Sequence, residues 1–272
     1  MVGMAEFSVS RRRVSRAIDH HEALAALWNS LPSEELCSFW PRIDPDGNGS
    51  IRAINVKPIP DEFSLRLGEM LYQLRSALDA CIYQATVYGP EPITLQNESS
   101  LEFPITNDPK EFVKLAKRRL WGLPAELIIG IESVQPYNTP ANLPAEKLVA
   151  KNSRCLGILH DLARIDRHRK LHIVGSAPLQ FEPVFTLPAA VSVKDVRITA
   201  DKLLTEQSEI ATFKLVGFRT GMNIQVNPNM TTNIGCTEPP EPCHPNDTFS
   251  ERLTEILHTV NTIVSAFESH AF

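Results

Sequence analysis

An α+β fold is predicted by three features of the 272-residue chain. Helical periodicity fills much of the first two-thirds, period-two runs of β-branched residues occupy 171–235, and an amphipathic segment ends the chain. The predicted architecture is a helical body of four to six helices, an appended antiparallel sheet and a closing C-terminal helix. Residues 1–170 would form the helical body with a small N-terminal hairpin, 171–246 the β region, and 247–272 a helix packing back on the body. With 43% hydrophobic residues the chain can bury a core of this size. Its net charge of −5 offers no global attraction for nucleic acid or anionic lipid, so such contacts would need a local basic patch. No segment approaches the ~20 apolar residues of a membrane span, and the start lacks the apolar core of a signal peptide. Five cysteines, an odd number, argue against a disulfide framework. These features describe a soluble, cytoplasmic protein with no membrane contact.

Taken in order, residues 11–31 carry Val14, Ala17, Ile18, Leu24, Leu27 and Trp28 at helical spacing. Residues 34–40 read as a further short helix. The run from Asp44 to Ile51 matches the opening of a calcium-binding EF-hand loop, but Asn55 stands where its bidentate Glu should be, and Pro58 and Pro60 bar the following helix. A DG/NG turn between two strands is the simpler reading. Residues 61–87 form the strongest helix, with Leu67, Met70, Leu71, Leu74, Leu78, Cys81, Ile82 and Ala85 in one stripe. Tyr72, Ser76, Asp79 and Tyr83 lie opposite, with Arg75 on the border, and predict that this side is covered as well. Helices over 109–119 and 124–134 follow, and then a Pro-rich linker.

A long helix over 144–166 is entered by Pro144 and Glu146. Its apolar line is Leu148, Cys155, Leu159 and Leu162, and Asn152 and Asp166 continue that line. A carboxylate on an apolar line should point inward and needs a cation or several donors. Arg75 or Arg169 is the predicted partner of Asp166, so that loss of the carboxylate would destabilise the fold. His160, Asp161 and Arg164 fall on the far side and read as solvated. Strands are predicted within LHIVG, VSVKDVRITA, IATFKLVGF, MNIQV and TTNIG. The last helix, 249–268, has Asp247 as its predicted N-cap.

The chain contains no Walker loop, G-x-G-x-x-G, G-x-S-x-G, H-E-x-x-H or C-x-x-C. Cys236, Cys243 and His244 are too few and too widely spaced for a structural zinc site, so neither a metal nor another cofactor is expected. The candidate site is the polar junction after the 144–166 helix. There Arg167 and His172 form an R-x4-H pattern with the polar His168 after the arginine. It resembles the motif of HEPN-type ribonucleases, which are helix-dominated. The resemblance implies metal-independent RNA cleavage, with a histidine as general acid/base on the ribose 2′-hydroxyl and the arginine stabilising the phosphorane. Here the motif runs into a predicted strand, a departure from the helical pair it should occupy. Arg13/His20, Arg16/His21, Arg154/His160 and Arg252/His258 have comparable spacings, but only Arg167 adjoins an inward-facing carboxylate.

A broader resemblance covers residues 60–175. Gly68, Glu69, Leu74, Arg75, Ala77, Leu78 and Asp79, followed later by Asp166, Arg167, His168, Arg169 and Leu171, resemble a family of uncharacterised bacterial proteins. That family has an L-R-x-A-L-D helix and a D-[KR]-H-R turn; Ala80 stands where a histidine often follows the helix motif. Two functions are therefore expected as rivals. One is a binding or interaction protein in which Arg75, Asp79, Asp166, Arg169 and Tyr72 form a structural or binding cluster, with a protein partner or a second copy as its target. The other is a HEPN-like ribonuclease using Arg167, His168 and His172 on RNA, paired as a dimer. Burial of the histidines would favour the first, and exposure at an open, basic rim the second.

Overall fold

A computed structural model of the chain describes residues 7–31, 36–87, 98–138, 148–171, 173–176, 182–198, 204–227, 233–236 and 248–269. The fold is α+β, and among the described residues lie the α-helices α1 (Ser8–Ser30), α2 (Asp61–Val87), α3 (Pro109–Arg119), α4 (Ala125–Ser133), α5 (Leu148–His168) and α6 (Phe249–Ser269). Its strands are β1 (Ser38–Ile43), β2 (Asn48–Ile54), β3 (Ile173–Ser176), β4 (Val184–Thr186), β5 (Ser192–Ile198), β6 (Glu209–Val216), β7 (Gln225–Asn227) and β8 (Asn233–Cys236). Two compact units result: Met1–Ala26, Ser64–Leu171 and Glu238–Phe272 form the helical one, Leu27–Phe63 and His172–Thr237 the β one. No helix among the described residues is long and apolar enough to cross a membrane.

In the helical unit α2 is central. The predicted stripe, Leu67, Met70, Leu71, Leu74, Leu78, Cys81, Ile82 and Ala85, is buried, and Ala77 is buried with it. Buried polar contacts tie α1 to it, where Ser10 Oγ donates to Gln84 Oε1 at 2.8 Å. The far side of α2 is more open than its composition predicts, since Tyr72 is 60% exposed and Tyr83 40%. The closing helix α6 belongs to this unit and lays Phe249, Leu253, Ile256, Val260, Ile263, Val264 and Phe267 inward. Arg11 on α1 holds it with hydrogen bonds to Asn261 Oδ1 at 2.7 Å and Glu268 Oε1 at 2.6 Å. The predicted N-cap Asp247 lies outside the described residues. Thr248 caps α6 through a capping box: its Oγ1 accepts the Glu251 N–H at 3.2 Å and the Glu251 carboxylate accepts the Thr248 N–H at 2.7 Å.

The β unit departs from the expected domain plan. Residues 38–40, expected as the end of a short helix over 34–40, instead open strand β1, because Phe39 and Ile43 face a core while Ser38, Trp40 and Arg42 face out. The N-terminal hairpin is not part of the helical body. It joins a four-stranded antiparallel sheet in the order β1-β2-β6-β5, and the remaining strands pair as separate ribbons, β3-β8 and β4-β7. As an edge strand, β1 tolerates Pro41, whose missing N–H would break a central ladder. The hairpin turn is the one read from the sequence. The Asp44 carboxylate accepts the N–H groups of Asp46 and Asn48 at 3.0 and 2.8 Å. Gly47 supplies the left-handed residue at φ +83°, where an added Cβ would also strike the Leu215 carbonyl. One face of the sheet packs Ile51, Ala53, Ile210, Ala211, Phe213 and Leu215 into the core.

Candidate functional site

The ionisable groups singled out in the sequence divide into an inner network and an exposed helix end, both in the helical unit. Arg75 on α2 is the hub of the network, with its side chain 11% exposed. It pairs with Asp79 one turn on, at 3.2 Å, and with Glu102 at 2.9 Å. It also donates to the Phe103 carbonyl, while Asp79 accepts the Phe103 N–H at 2.9 Å. Glu102 is shared with Arg119, at the end of α3, at 2.8 Å. The network clasps the extended segment around Phe103 to α2 and α3. Burial raises the Asp79 carboxyl pKa above its ordinary value although Arg75 and the Phe103 N–H oppose the shift. Arg75 Nη1 is buried and makes no hydrogen bond among the described residues. Glu102 and Arg119 had no signal in the sequence, because a pairing between a loop and a helix end has no period.

His160 was expected in solvent but is half-buried. Burial, and then the neighbouring charge of Arg75, lowers its pKa below the usual imidazole value. The helix α5 continues two residues past the predicted end, so Asp166, Arg167 and His168 lie in its last turn rather than in a polar junction. Arg167, His168 and Arg169 are exposed, with Arg167 Nε donating to the Ala163 carbonyl at 3.3 Å. His172 lies outside the described residues. The expected histidine test is thus split: His168 is exposed, and the ion-paired Arg75 network lies elsewhere along α2.

Asp166 does turn toward α2, but among the described residues it pairs with neither predicted partner, Arg75 or Arg169. Its carboxylate rests on Gly68, where an added Cβ would come within 2.5 Å of Oδ2. Arg75 lies two helical turns further along α2, about 10 Å away in rise, and is committed to Asp79, Glu102 and Phe103. Among the described residues Asp166 makes no ion pair, and burial alone raises its pKa. The two sequence motifs therefore meet at Gly68 and Asp166, where a helical glycine admits the carboxylate. Gly68→Ala is expected to cost about 1–3 kcal/mol by overpacking, and Asp166→Ala should cancel most of that cost in the double variant, as read by urea denaturation. Asp166→Ala alone should not destabilise, the reverse of the expectation from sequence. Because the folded pKa of Asp166 is raised, its contribution to stability is fullest below about pH 4 and is lost as pH rises through the folded value. Asp166→Asn should remove that slope from a pH series of melting temperatures.

Among the described residues no group of three or more His, Cys, Asp or Glu is placed to hold a metal ion, and Cys243 and His244 lie outside them. In comparisons with known proteins, no family model, curated protein or solved structure matches the chain.

Proposed function

We propose that this is a binding protein without catalysis of its own, and that the Arg75 network serves its architecture. The carrying observation is the closure of that network on protein groups: Asp79, Glu102 and Arg119 are each engaged by another member, and Arg75 by the Phe103 carbonyl. Apart from Arg75 Nη1, the charged groups of this cluster are turned on one another and on the Phe103 backbone. The unbridged thiols of Cys37 and Cys81 support a cytoplasmic, reducing setting. Kinship with the bacterial family that carries the helix and turn motifs is part of this reading, and the meeting of Gly68 with Asp166 supports it.

A second reading, a HEPN-like metal-independent RNA endonuclease, is favoured by the exposure of Arg167 and His168 together. In that reading His168 or His172 moves the proton and Arg167 meets the phosphate charge. Incubation of the protein with mixed-sequence RNA in a chelator, followed by denaturing electrophoresis, separates the two. Intact RNA is the expected result. Cleavage that disappears in Arg167→Ala, His168→Ala or His172→Ala would replace the binding-protein reading with the nuclease.

A further inference from the structure

The outer face of the four-stranded sheet carries charge and an aromatic side chain where a bare scaffold needs neither. Register pairing sets Arg42 opposite Ser50, Ser50 opposite Thr212, and Thr212 opposite Arg197. One rung across all four strands therefore reads Arg-Ser-Thr-Arg, with two hydroxyls between two guanidinium groups about 14 Å apart at the backbone. Both arginines are exposed, and among the described residues neither makes an ion pair. These four residues line an open groove of about 590 Å³, with Lys214 in the next rung. Lys214 is turned onto the hairpin by the Asp46 carbonyl at 2.9 Å and Asn48 Oδ1 at 2.8 Å.

The acids of the groove are largely engaged. Glu209 is 3.3 Å from Arg52, and the Asp44 carboxylate is held by its own turn. Asp195 sits in a β-bulge at φ 52°. Trp40 is two residues before Arg42 on the same face of β1, and is 63% exposed. Its flat ring on an edge strand, beside cations and hydroxyls, combines a stacking platform with donors for phosphate oxygens.

We infer that this face binds single-stranded nucleic acid, with Arg42, Arg197 and the two hydroxyls along the sugar–phosphate backbone and Trp40 stacked on a base. The inference rests on the binding-protein reading and assigns its ligand class. The groove's lining carries one more cation than carboxylate, a small local positive excess on a chain of net charge −5.

The test is fluorescence anisotropy of the full chain with labelled oligouridylate, oligothymidylate and a duplex of equal length, at several salt concentrations. Saturable binding of the single strands, tighter than that of the duplex, is expected. Trp40→Ala should weaken it roughly tenfold, the loss of one stacked base. Arg42→Ala with Arg197→Ala should flatten the slope of log affinity against log salt by about 1.4, for two phosphate contacts. All three side chains are exposed, and circular dichroism would verify that the variants fold. Absence of saturable binding at low salt, binding that the variants leave unchanged, or a preference for duplex that ignores Trp40 would overturn the inference. Electrophoresis of the same samples keeps the two proposals apart. A bound but cleaved strand defeats the binding-protein reading and leaves the surface standing, whereas an unbound, intact strand defeats only the surface.

Discussion

Arg75→Ala is expected to lower stability by about 3 kcal/mol, near the lower end for broken buried ion pairs because Asp79 and Glu102 keep a third or more of their side chains exposed. The loss comes less from the missing attraction than from what remains. Asp79 would keep its burial with only the Phe103 N–H to satisfy it, and the Phe103 carbonyl would lose a charged donor. Arg75→Lys should recover only part, since one ammonium cannot span Asp79, Glu102 and the carbonyl as a planar fork does. Urea denaturation at neutral pH measures both variants. A loss under about 1 kcal/mol for Arg75→Ala would place the network with ordinary surface pairs and remove the architectural argument.

Removal of α6 by ending the chain at Asn246 should have a still larger effect. Phe249, Leu253, Ile256, Val260, Ile263, Val264 and Phe267 would lose their burial, at ~1.5–3 kcal/mol each. Their sum, about 10–20 kcal/mol, is as large as the whole ~5–15 kcal/mol by which a domain is ordinarily stable. Arg11 would also lose Asn261 and Glu268, and Asn152 its hydrogen bond from Thr259. The expected product is insoluble or lacks a cooperative thermal transition by calorimetry. A soluble truncate with a sharp transition would show that α6 is dispensable to the helical core.

The helices were legible because each carries its own period. The ends of α2 and α3 coincide with the predicted 61–87 and 109–119, and in the structure Asp108 caps α3 by accepting the Lys110 N–H. The sheet was legible only as strands. Which strand lies beside which depends on pairing across more than a hundred residues, and nothing local in Ser38–Ile43 announces its membership in a sheet with Glu209–Val216. The short stretch around Leu36–Trp40 has too few residues to separate a helical from an alternating pattern. At the site, the i, i+4 pair Arg75–Asp79 is local and was legible, as was the turn of Asp166 toward a neighbouring helix. The partner of Asp166 was not, since it depends on where two helices cross, and the crossing is marked only by the absent side chain of Gly68. The outer face of the sheet could not be read beforehand for the same reason: Arg42 and Arg197 are far apart in the chain until register brings them to one rung.

That register bears on how the protein is made. On a ribosome β1 and β2 emerge early, yet the strand that flanks β2 on its other side comes much later; Arg52 must wait for Glu209, 157 positions downstream. At ~5–20 residues per second the nascent hairpin spends roughly 8–30 s before its neighbour is synthesised. A lone hairpin is barely stable in water, and its open edge is a template for pairing with other chains. Expression conditions that slow translation between residues 54 and 209 should therefore lower soluble yield, with the aggregates arising from incomplete chains.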